Sequence, residues 1–375
     1  MPSDKKKRIL HVFGRMARGG AEMRTLDVMR KIDRERFQFN FCTLSRVSGT
    51  LDNEISDLGG SIYACPLGID FIRKFRRLLR EQRFDVVHSH VHLFSGLIVK
   101  LAALEKVPMR IAHFRSMQDG SGTGLRRNLQ GKIMRYWIDK NATDILAVGE
   151  GAMSAAWSQD WKLDKRCRVL YNGIDTAAFS ALADRENILK EFHFPLDGKL
   201  CIHIGRTAVP KNHLRLIPLF AELLKLEPNA RLLLVGRADN EIGQRAREKV
   251  KELGISESVA FTGERADVPR LLKASDLMLF PSLWEGLPGA VLESCIAGTP
   301  VLASDLPGVI EIASRIPHVH YLSLQKSDND WAITANDLLN SPQAFREEMT
   351  SAFHNSVFEI DYCLGEYNKL YGRIS

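Results

Sequence analysis

Short apolar segments alternate with amphipathic segments along most of the chain. Apolar runs such as 8–13 and 110–114 have the length and the composition of buried strands. Segments such as 21–32 and 125–141 place apolar residues three and four positions apart, which predicts helices. The repeated order of strand, helix and strand predicts an α/β fold in which a parallel sheet is covered by helices.

The alternation is interrupted once, between residues 172 and 198, where the sequence is polar and mixed. A second series of predicted strands follows, at 200–204, 231–235, 259–262, 276–280 and 301–304. We therefore predict two Rossmann-like domains, 1–175 and 176–355, and a C-terminal helix within 356–375 that packs back on the first domain. Ligands of parallel sheets bind beyond the carboxyl ends of the strands, so the chemistry is expected in those loops, in a central cleft that the two domains face.

The composition narrows the classes of function. Of the 375 residues, 45% are hydrophobic and 26% are charged, which is typical of a globular protein. The formal charge of +7 favours an anionic partner. The six cysteines form no CxxC pair, which argues against a zinc site and for reduced thiols. No apolar segment follows the basic residues 1–8, so we expect a cytoplasmic protein without a secretory signal.

The loop after the predicted strand 276–280 leads directly into a helix. Pro288 is expected as its first residue, where a missing N–H costs nothing. Free amides at the start of a helix bind anions, and small residues let a phosphate approach the backbone. The amides expected to be free are those of Gly289, Ala290 and Val291.

Two glutamates, Glu285 and Glu293, flank this anion site. An ionised carboxylate only accepts hydrogen bonds, so its natural targets near a bound phosphate are hydroxyl groups. Acceptors on both sides of an anion site suit a nucleotide sugar, which has hydroxyl groups at both ends of a diphosphate. The alternative is a loop glutamate and a helix-surface glutamate that both face solvent.

Two further turns follow predicted strands. Residues 205–212 carry Arg206 and Lys211, two cations that could flank a diphosphate or simply lie in solvent. Residues 14–22 form a glycine-rich turn that includes Gly19 and Gly20. This turn matches neither GxGxxG nor the P-loop pattern, which argues against a dinucleotide dehydrogenase and a P-loop NTPase.

Histidines are concentrated in the first domain, at His88, His90, His92 and His113. Alternate histidines could bind a metal ion, but no carboxylate or cysteine accompanies them, so we interpret them as wall residues of the cleft. The sequence at 328–330, Asp-Asn-Asp, resembles a metal-binding motif, and a helix cap is the preferred interpretation.

Together these segments resemble the retaining glycosyltransferases of family 4. The resemblance rests on the Glu-x7-Glu stretch 285–293, the Gly-Arg…Lys loop 205–211, the Gly-Gly-Ala-Glu turn 19–22 and the junction 171–175, and it extends to about Ala313. It implies the GT-B fold, with an acceptor-binding first domain and a second domain that binds a nucleotide-sugar donor. It also implies retention of the anomeric configuration and no requirement for a metal ion or other cofactor.

The resemblance also implies roles for individual residues. The catalytic set would be Glu285, Arg206, Lys211 and His113. The donor-binding set would be Glu293, Gly19, Gly20, Arg206, Lys211, Leu287, Gly289, Ala290, Arg265 and Arg115. Glu293 would hold the ribose hydroxyls, and the nucleobase would lie near Arg265. Relatives usually carry a sugar-contacting histidine where Arg115 stands here, so His113 is shifted by two positions and either residue is a candidate.

Helix 70–82 is predicted to have apolar residues on one face and basic residues on the other. It resembles an interfacial helix that attaches relatives to an anionic membrane surface, and the alternative is a solvated helix that covers the sheet. The predicted function is transfer from a UDP-sugar, or alternatively a GDP-sugar, to a polysaccharide, lipid-linked or small-molecule acceptor in cell-surface glycan synthesis. The alternatives are a sugar-nucleotide epimerase and a non-catalytic nucleotide-sugar binding protein. A nucleic-acid partner is not expected, because the basic residues are dispersed.

Overall fold

The computed structural model describes residues 6–117, 124–181, 183–341 and 345–374. Residues 1–5, which belong to the segment used above to argue against a secretory signal, lie outside the described residues. The chain divides into two compact units. Unit 1 comprises Met1–Ile174 and Ile360–Ser375, and unit 2 comprises Asp175–Glu359.

Unit 1 is built on a parallel sheet whose described strands have the order β3-β2-β1-β4-β5-β6-β7. The strands are β1 (Lys7–Phe13), β2 (Phe37–Thr43), β3 (Ser61–Ala64), β4 (Val86–Ser89), β5 (Met109–Phe114), β6 (Asp144–Ala147) and β7 (Cys167–Val169). Its helices are α1 (Gly20–Lys31), α2 (Asp52–Asp57), α3 (Phe71–Gln82), α4 (Ser95–Leu104), α5 (Leu125–Asn141), α6 (Glu150–Ala156) and α15 (Ile360–Gly372).

Unit 2 is built on a second parallel sheet, in which the described strands have the order β10-β9-β8-β11-β12-β13. The strands are β8 (Lys199–Ile204), β9 (Ala230–Val235), β10 (Val259–Gly263), β11 (Leu277–Phe280), β12 (Val301–Ser304) and β13 (Val319–Leu322). Its helices are α7 (Arg185–Glu191), α8 (His213–Leu226), α9 (Glu241–Glu252), α10 (Val268–Ala274), α11 (Gly289–Ala297), α12 (Pro307–Ala313), α13 (Asp328–Leu339) and α14 (Phe345–His354).

Strand β1 shows why the sequences of the interior strands are continuous apolar runs. Ile9 and Phe13 pack on the face covered by α1 and α15. Leu10 and Val12 point to the opposite face, which is covered by α3 and α4. Side chains alternate along a strand, so a strand buried on both faces must be apolar at nearly every position.

The segments that the sequence pattern missed are short strands with mixed burial. β3, β7 and β13 are three or four residues long, and His320 and Tyr321 of β13 are exposed. Such strands lack a continuous apolar run, so periodicity does not distinguish them from loops. The segment before α4 forms a 3₁₀ turn at His92–Phe94, and α4 itself starts at Ser95.

No helix among the described residues is long and apolar enough to cross a membrane. The basic helix predicted at 70–82 is α3, and its apolar face is not available to lipid. Phe71, Phe75, Leu78 and Leu79 are buried in the core of unit 1. Insertion of this face into a membrane is therefore excluded in the folded unit, because the sheet already covers it. The exposed side of α3 carries the basic residues together with Ile72, which is 49% exposed.

Candidate functional site

In unit 2, the loops after β8 and β11 are held together at the carboxyl edge of the sheet. The two strands are neighbours, so their loops begin side by side. The amide of Leu283 donates to the carbonyl oxygen of Pro210 at 2.8 Å. The Asn212 side chain donates to the carbonyl oxygen of Pro281 at 3.0 Å. The cationic loop and the acidic loop, predicted separately from sequence, are thus parts of one surface.

Lys211 and Glu285 form an ion pair across this junction, with Nζ and Oε1 2.7 Å apart. Both side chains are only about one-fifth exposed, at 21% and 18%. The Lys211 stem lies against Gly205, where an added Cβ would be 2.9 Å from its Cδ and Cε atoms. The ammonium group also lies 4.6 Å from the centre of the Phe280 ring. The lysine is therefore held in one place before any ligand arrives.

The side chain of Arg206, unlike that of Lys211, is not held by an ion pair within the ranges that the structure describes. It is exposed, and among the described residues it forms no ion pair or hydrogen bond. The backbone beneath it is tightly packed, because a Cβ on Gly236 would lie 2.5 Å from the carbonyl oxygen of Gly205. Gly236 also has a φ of +141°, which favours glycine. A fixed backbone therefore carries a guanidinium group that can turn toward an anion.

The start of α11 presents unpartnered amides. The helix begins at Gly289, one residue later than predicted, and Pro288 is its N-cap. In the described part of the chain, the amides of Gly289 and Ala290 have no hydrogen-bond partner. The amide of Val291 was predicted to be free, which is wrong, because it donates to the carbonyl oxygen of Pro288 at 3.1 Å. A Cβ on Gly289 would meet nothing within 4 Å, so the helix start is open to a ligand.

The other residues of unit 2 that were predicted to bind the nucleotide-sugar donor are less exposed than Arg206. Leu287 is buried, and Glu293 is half-buried one turn into α11. Arg265 is held by two carboxylates: it donates to Asp267 at 2.8 and 2.9 Å and to Glu191 at 2.6 Å. Hydrogen bonds from Arg265 lower the pKa of Asp267 to about 2. This pairing, which the sequence did not reveal, fixes the guanidinium near the end of β10.

The glycine-rich turn of unit 1 leads into α1. Gly19 is the N-cap, and α1 starts at Gly20. A Cβ on Gly20 would meet nothing within 4 Å, whereas one on Gly19 would lie 2.5 Å from Oε2 of Glu22. The backbone at Gly20 is therefore open to close approach.

His113 is placed differently from a residue that contacts a sugar. It is 1% exposed, and its Nδ1 lies 2.9 Å from Nε2 of His88. The other ring nitrogen of His88 lies 2.8 Å from the hydroxyl of Tyr371 in α15. Burial lowers the pKa of His113 well below its usual value, and the charge of Arg115 lowers it further. His113 is thus a neutral interior residue in this structure.

Arg115 lies at the end of β5 and has three hydrogen-bond partners in unit 1. Nε donates to Nδ1 of His90 at 3.2 Å, and the two terminal nitrogens donate to Asn172 at 2.7 Å and to Thr25 at 2.8 Å. Thr25 belongs to α1, and Asn172 belongs to the junction named in the family resemblance. Arg115 therefore connects α1, β4 and that junction.

Two of the histidines considered from sequence as metal ligands, His88 and His90, lie beside His11, which the sequence analysis did not include. Ring nitrogens of His11, His88 and His90 lie within 4.8 Å of one another, so the group could hold a metal ion. However, all three rings are buried, and several of their nitrogens already bond to one another, to Arg115 or to Tyr371.

The helix-cap interpretation of 328–330 is confirmed, because Ser327 and Asp330 form a capping box at the start of α13.

The basic face of α3 is exposed but mostly paired. Arg73, Arg77 and Arg80 have side chains that are 78%, 69% and 57% exposed. Each lies within salt-bridge distance of a carboxylate, on Asp70, Glu81 and Glu105 respectively.

Sequence reasoning also missed residues that position the loops. Asn212 has a φ of +53°, which lets the chain turn between Lys211 and α8. His213 packs edge-on against His203, with ring centres 4.7 Å apart, behind the Lys211 loop. Burial and the charge of Lys211 lower the pKa of His213 to about 4, so this ring is neutral. The Lys-Asn-His order was the available signal, since asparagine tolerates this backbone conformation.

Comparison with known proteins adds the following findings. Residues 184–354 match the family model described as glycosyl transferases group 1, and residues 18–178 match the one described as glycosyltransferase family 4. The chain is 31% identical to the capsular polysaccharide biosynthesis glycosyltransferase CapH of Staphylococcus aureus, over 97% of this chain and 98% of that protein. It is 25% identical to the UDP-Gal:alpha-D-GlcNAc-diphosphoundecaprenol alpha-1,3-galactosyltransferase of Escherichia coli, over 81% and 80% of the two chains.

Among solved structures, HepE of Anabaena in complex with UDP and glucose matches with a TM-score of 0.80. The match covers 98% of this chain and 99% of that one, at 16% identity. Likeness at this identity concerns the fold. It confirms the predicted architecture of two Rossmann-like parallel-sheet domains.

Proposed function

The chain belongs to the glycosyltransferases of family 4, and on that premise we propose that it transfers a sugar from a UDP-sugar to a glycan or lipid-linked acceptor, with retention of the anomeric configuration. The observation that carries the proposal is the Lys211–Glu285 ion pair at the carboxyl edge of unit 2, in the loop that leads to the open start of α11. A cation, a carboxylate and free amides are the groups that a nucleotide sugar requires.

The diphosphate would be bound by Arg206, Lys211 and the amides of Gly289 and Ala290. Arg206 is exposed and can turn toward the ligand, whereas Lys211 is already fixed. Both cations would offset the charge that develops on the departing nucleotide. Glu293 would accept hydrogen bonds from the ribose hydroxyls.

Glu285 would accept hydrogen bonds from hydroxyl groups of the transferred sugar. Its second role follows from the ion pair: it holds Lys211 in place until a phosphate oxygen competes for the ammonium group. In the transfer step, the acceptor oxygen bonds to the anomeric carbon while the bond from that carbon to the phosphate oxygen breaks. The acceptor attacks from the face that the leaving group departs, and its proton goes to that phosphate oxygen, which yields UDP. No metal ion takes part in this proposal.

In unit 1, the turn at Gly19 and Gly20 would bring backbone amides to the ligand. Arg115 would act as a positioning residue, because it connects α1 to Asn172 and His90. His113 would support the same network from the interior. Arg265 would support the nucleobase through the loop it fixes with Asp267.

The acceptor class is suggested by relatives. One is named for capsular polysaccharide biosynthesis, and another for an acceptor carried on diphosphoundecaprenol. An acceptor of this kind for the present chain would be a growing cell-surface glycan. The exposed arginines of α3 would then contribute only electrostatic attraction to an anionic membrane, since the apolar face is buried.

The proposal is tested by nucleotide release from a panel of UDP- and GDP-sugars, in the presence and absence of an acceptor fraction and with EDTA. We expect release from one UDP-sugar, unaffected by EDTA, and an α-linked product from an α-linked donor, as determined by NMR. Glu285→Gln should lower turnover roughly 10- to 100-fold, as expected for the loss of a charge-assisted hydrogen bond. The matched control is Glu222→Gln in α8, where the side chain is half-buried and forms an ion pair with Lys225; this change should leave turnover unaltered.

Three results would contradict the proposal. Equal turnover of Glu285→Gln and the wild type would remove the role assigned to Glu285. A new UDP-sugar epimer formed without acceptor would favour the epimerase. Binding of UDP without any turnover of any donor would favour a non-catalytic protein.

A further inference from the structure

Unit 2 contains a cavity of about 480 Å³ at the edge of the sheet opposite the proposed donor site. Lys199, the first residue of β8, lines it, and so does Asp276, which directly precedes β11. The proposed donor loops follow the other ends of the same two strands. The first and last of the six residues of β8 are five steps of about 3.3 Å apart, which separates the two ends of the strand by roughly 17 Å. The cavity is therefore separate from the donor loops.

The cavity is lined by more positive than negative charge. Its basic residues are Arg185, Lys199, Lys273 and Arg346. Its acidic residues are Asp197 and Asp276. Asp276 is already engaged: it accepts from Arg185 at 2.7 Å and from the amide of Leu200 at 2.7 Å.

The two arginines also have a structural role. Arg346 donates to the carbonyl oxygens of Lys273 and Ser275, at 3.1 and 2.6 Å. Arg185 donates to the carbonyl oxygens of Ala274 and Gly198. Both thus cap the end of α10, where the helix dipole leaves a partial negative charge. The carbonyl groups at the end of α10 accept hydrogen bonds from the two arginines. However, the partial negative charge at this helix end is smaller than the positive charge of two guanidinium groups.

The two lysines are bound more weakly. Nζ of Lys199 is 3.4 Å from the carbonyl oxygen of Leu339, and Nζ of Lys273 is 3.0 Å from that of Ala181. Within the described residues, neither lysine has a carboxylate partner. The lysines supply mobile charges, and the capping arginines supply fixed ones. This combination resembles the Arg-plus-Lys arrangement that binds phosphates elsewhere in proteins.

We propose that this cavity is a second anion site, which binds a small phosphorylated molecule carrying at least two negative charges. The volume is within the range of small-molecule sites and is larger than a single phosphate requires. The proposal does not depend on the proposed transfer reaction, since the cavity uses the amino ends of the strands and shares no residue with the donor loops.

The probe is inorganic pyrophosphate, titrated calorimetrically into the full chain. Because Arg206 and Lys211 could also bind it, the titration is repeated in the double variant Arg206→Gln/Lys211→Met. We expect binding to persist in that variant. Adding Lys199→Gln/Lys273→Gln should weaken the remaining binding at least tenfold. The matched control removes two exposed lysines of unit 2, Lys225→Gln/Lys249→Gln, which changes net charge equally and should have no such effect.

Three results would overturn the proposal. The first is loss of all binding in the donor-loop variant. The second is equal weakening by the Lys225/Lys249 control, which would show non-specific attraction. Circular dichroism and thermal melting confirm folding of each variant. If the double change at Lys199 and Lys273 prevents folding, Lys273→Gln alone is used, and unchanged affinity for pyrophosphate in that variant also overturns the proposal.

Discussion

The Lys211–Glu285 ion pair provides a quantitative test of the site in the absence of ligand. We consider Lys211→Met and Glu285→Gln, alone and together. Methionine retains the apolar stem that packs against Gly205, and glutamine retains the shape of glutamate. The two changes therefore remove charge with little change in volume, and the double variant removes both charges at once.

The magnitude follows from distance and burial. At an effective dielectric constant of about 20, unit charges separated by the observed 2.7 Å attract by roughly 6 kcal/mol. Loss of hydration offsets most of this, because both side chains are about four-fifths buried. We therefore expect each single change to lower the free energy of unfolding by about 1–3 kcal/mol, since it leaves a buried charge without its partner. The double change should cost less than the sum of the two.

The assay is urea denaturation of the four proteins, followed by circular dichroism. The structure offers a matched control in Lys225 and Glu222, whose charged atoms are also 2.7 Å apart but whose side chains are 67% and 32% exposed. Charge-removing changes at that pair should couple by less than about 0.5 kcal/mol. The coupling at Lys211 and Glu285 should exceed about 1 kcal/mol.

Addition of UDP extends the test to function. At a concentration 100 times its dissociation constant, a ligand stabilises a protein by about 2.7 kcal/mol. UDP should stabilise Glu285→Gln about as much as the wild type, and should stabilise Lys211→Met less, because only the lysine is proposed to bind the diphosphate. Additive effects of the two substitutions, within about 0.5 kcal/mol, would refute the reasoning about burial. Equal stabilisation of all four proteins by UDP would refute the assignment of Lys211.

Two further predictions concern α11 and the buried histidines. Gly289→Ala should change the free energy of unfolding by less than about 0.5 kcal/mol, because nothing lies within 4 Å of an added Cβ. The same substitution should raise the KM for the donor several-fold. An unchanged KM would show that no phosphate approaches this residue. Burial, followed by the charge of Arg115, lowers the pKa of His11 to about 3, and burial lowers that of His113 as well, whereas unfolded histidines titrate near 6.5. The stability that these neutral histidines contribute is therefore fully present above about pH 6.5 and is lost as the pH falls below it, by at most about 1.4 kcal/mol per pH unit for each histidine. Urea denaturation between pH 7 and 5 should show a shallower slope for His113→Gln, and an identical slope would contradict its burial as a neutral ring.

The sequence by itself was sufficient to predict two α/β units and their long interior strands, but not the short strands β3, β7 and β13. Interior strands such as β1 and β12 are buried on both faces, so their apolar runs identify them without knowledge of their neighbours. The sequence also indicated that Lys211 lies in the loop after β8 and that Gly289 lies at the helix start that follows the loop after β11, because parallel sheets place functional loops at strand ends. These are local properties, and local periodicity and glycine placement encode them directly.

The tertiary structure decided which residues meet. Lys211 and Glu285 are 74 positions apart, and the bond between His88 and Tyr371 joins residues separated by 283. A hydrophobic pattern predicts that a side chain is buried, but it does not identify the residues that cover it. The pattern of α3 was therefore equally compatible with a helix that faces a membrane and with one that faces the core. His113 likewise was a candidate for contact with the sugar, whereas the structure buries it in the interior of unit 1. Only the packing of distant strands and helices distinguishes these cases, because burial and charge pairing are set by neighbours that are remote in the chain.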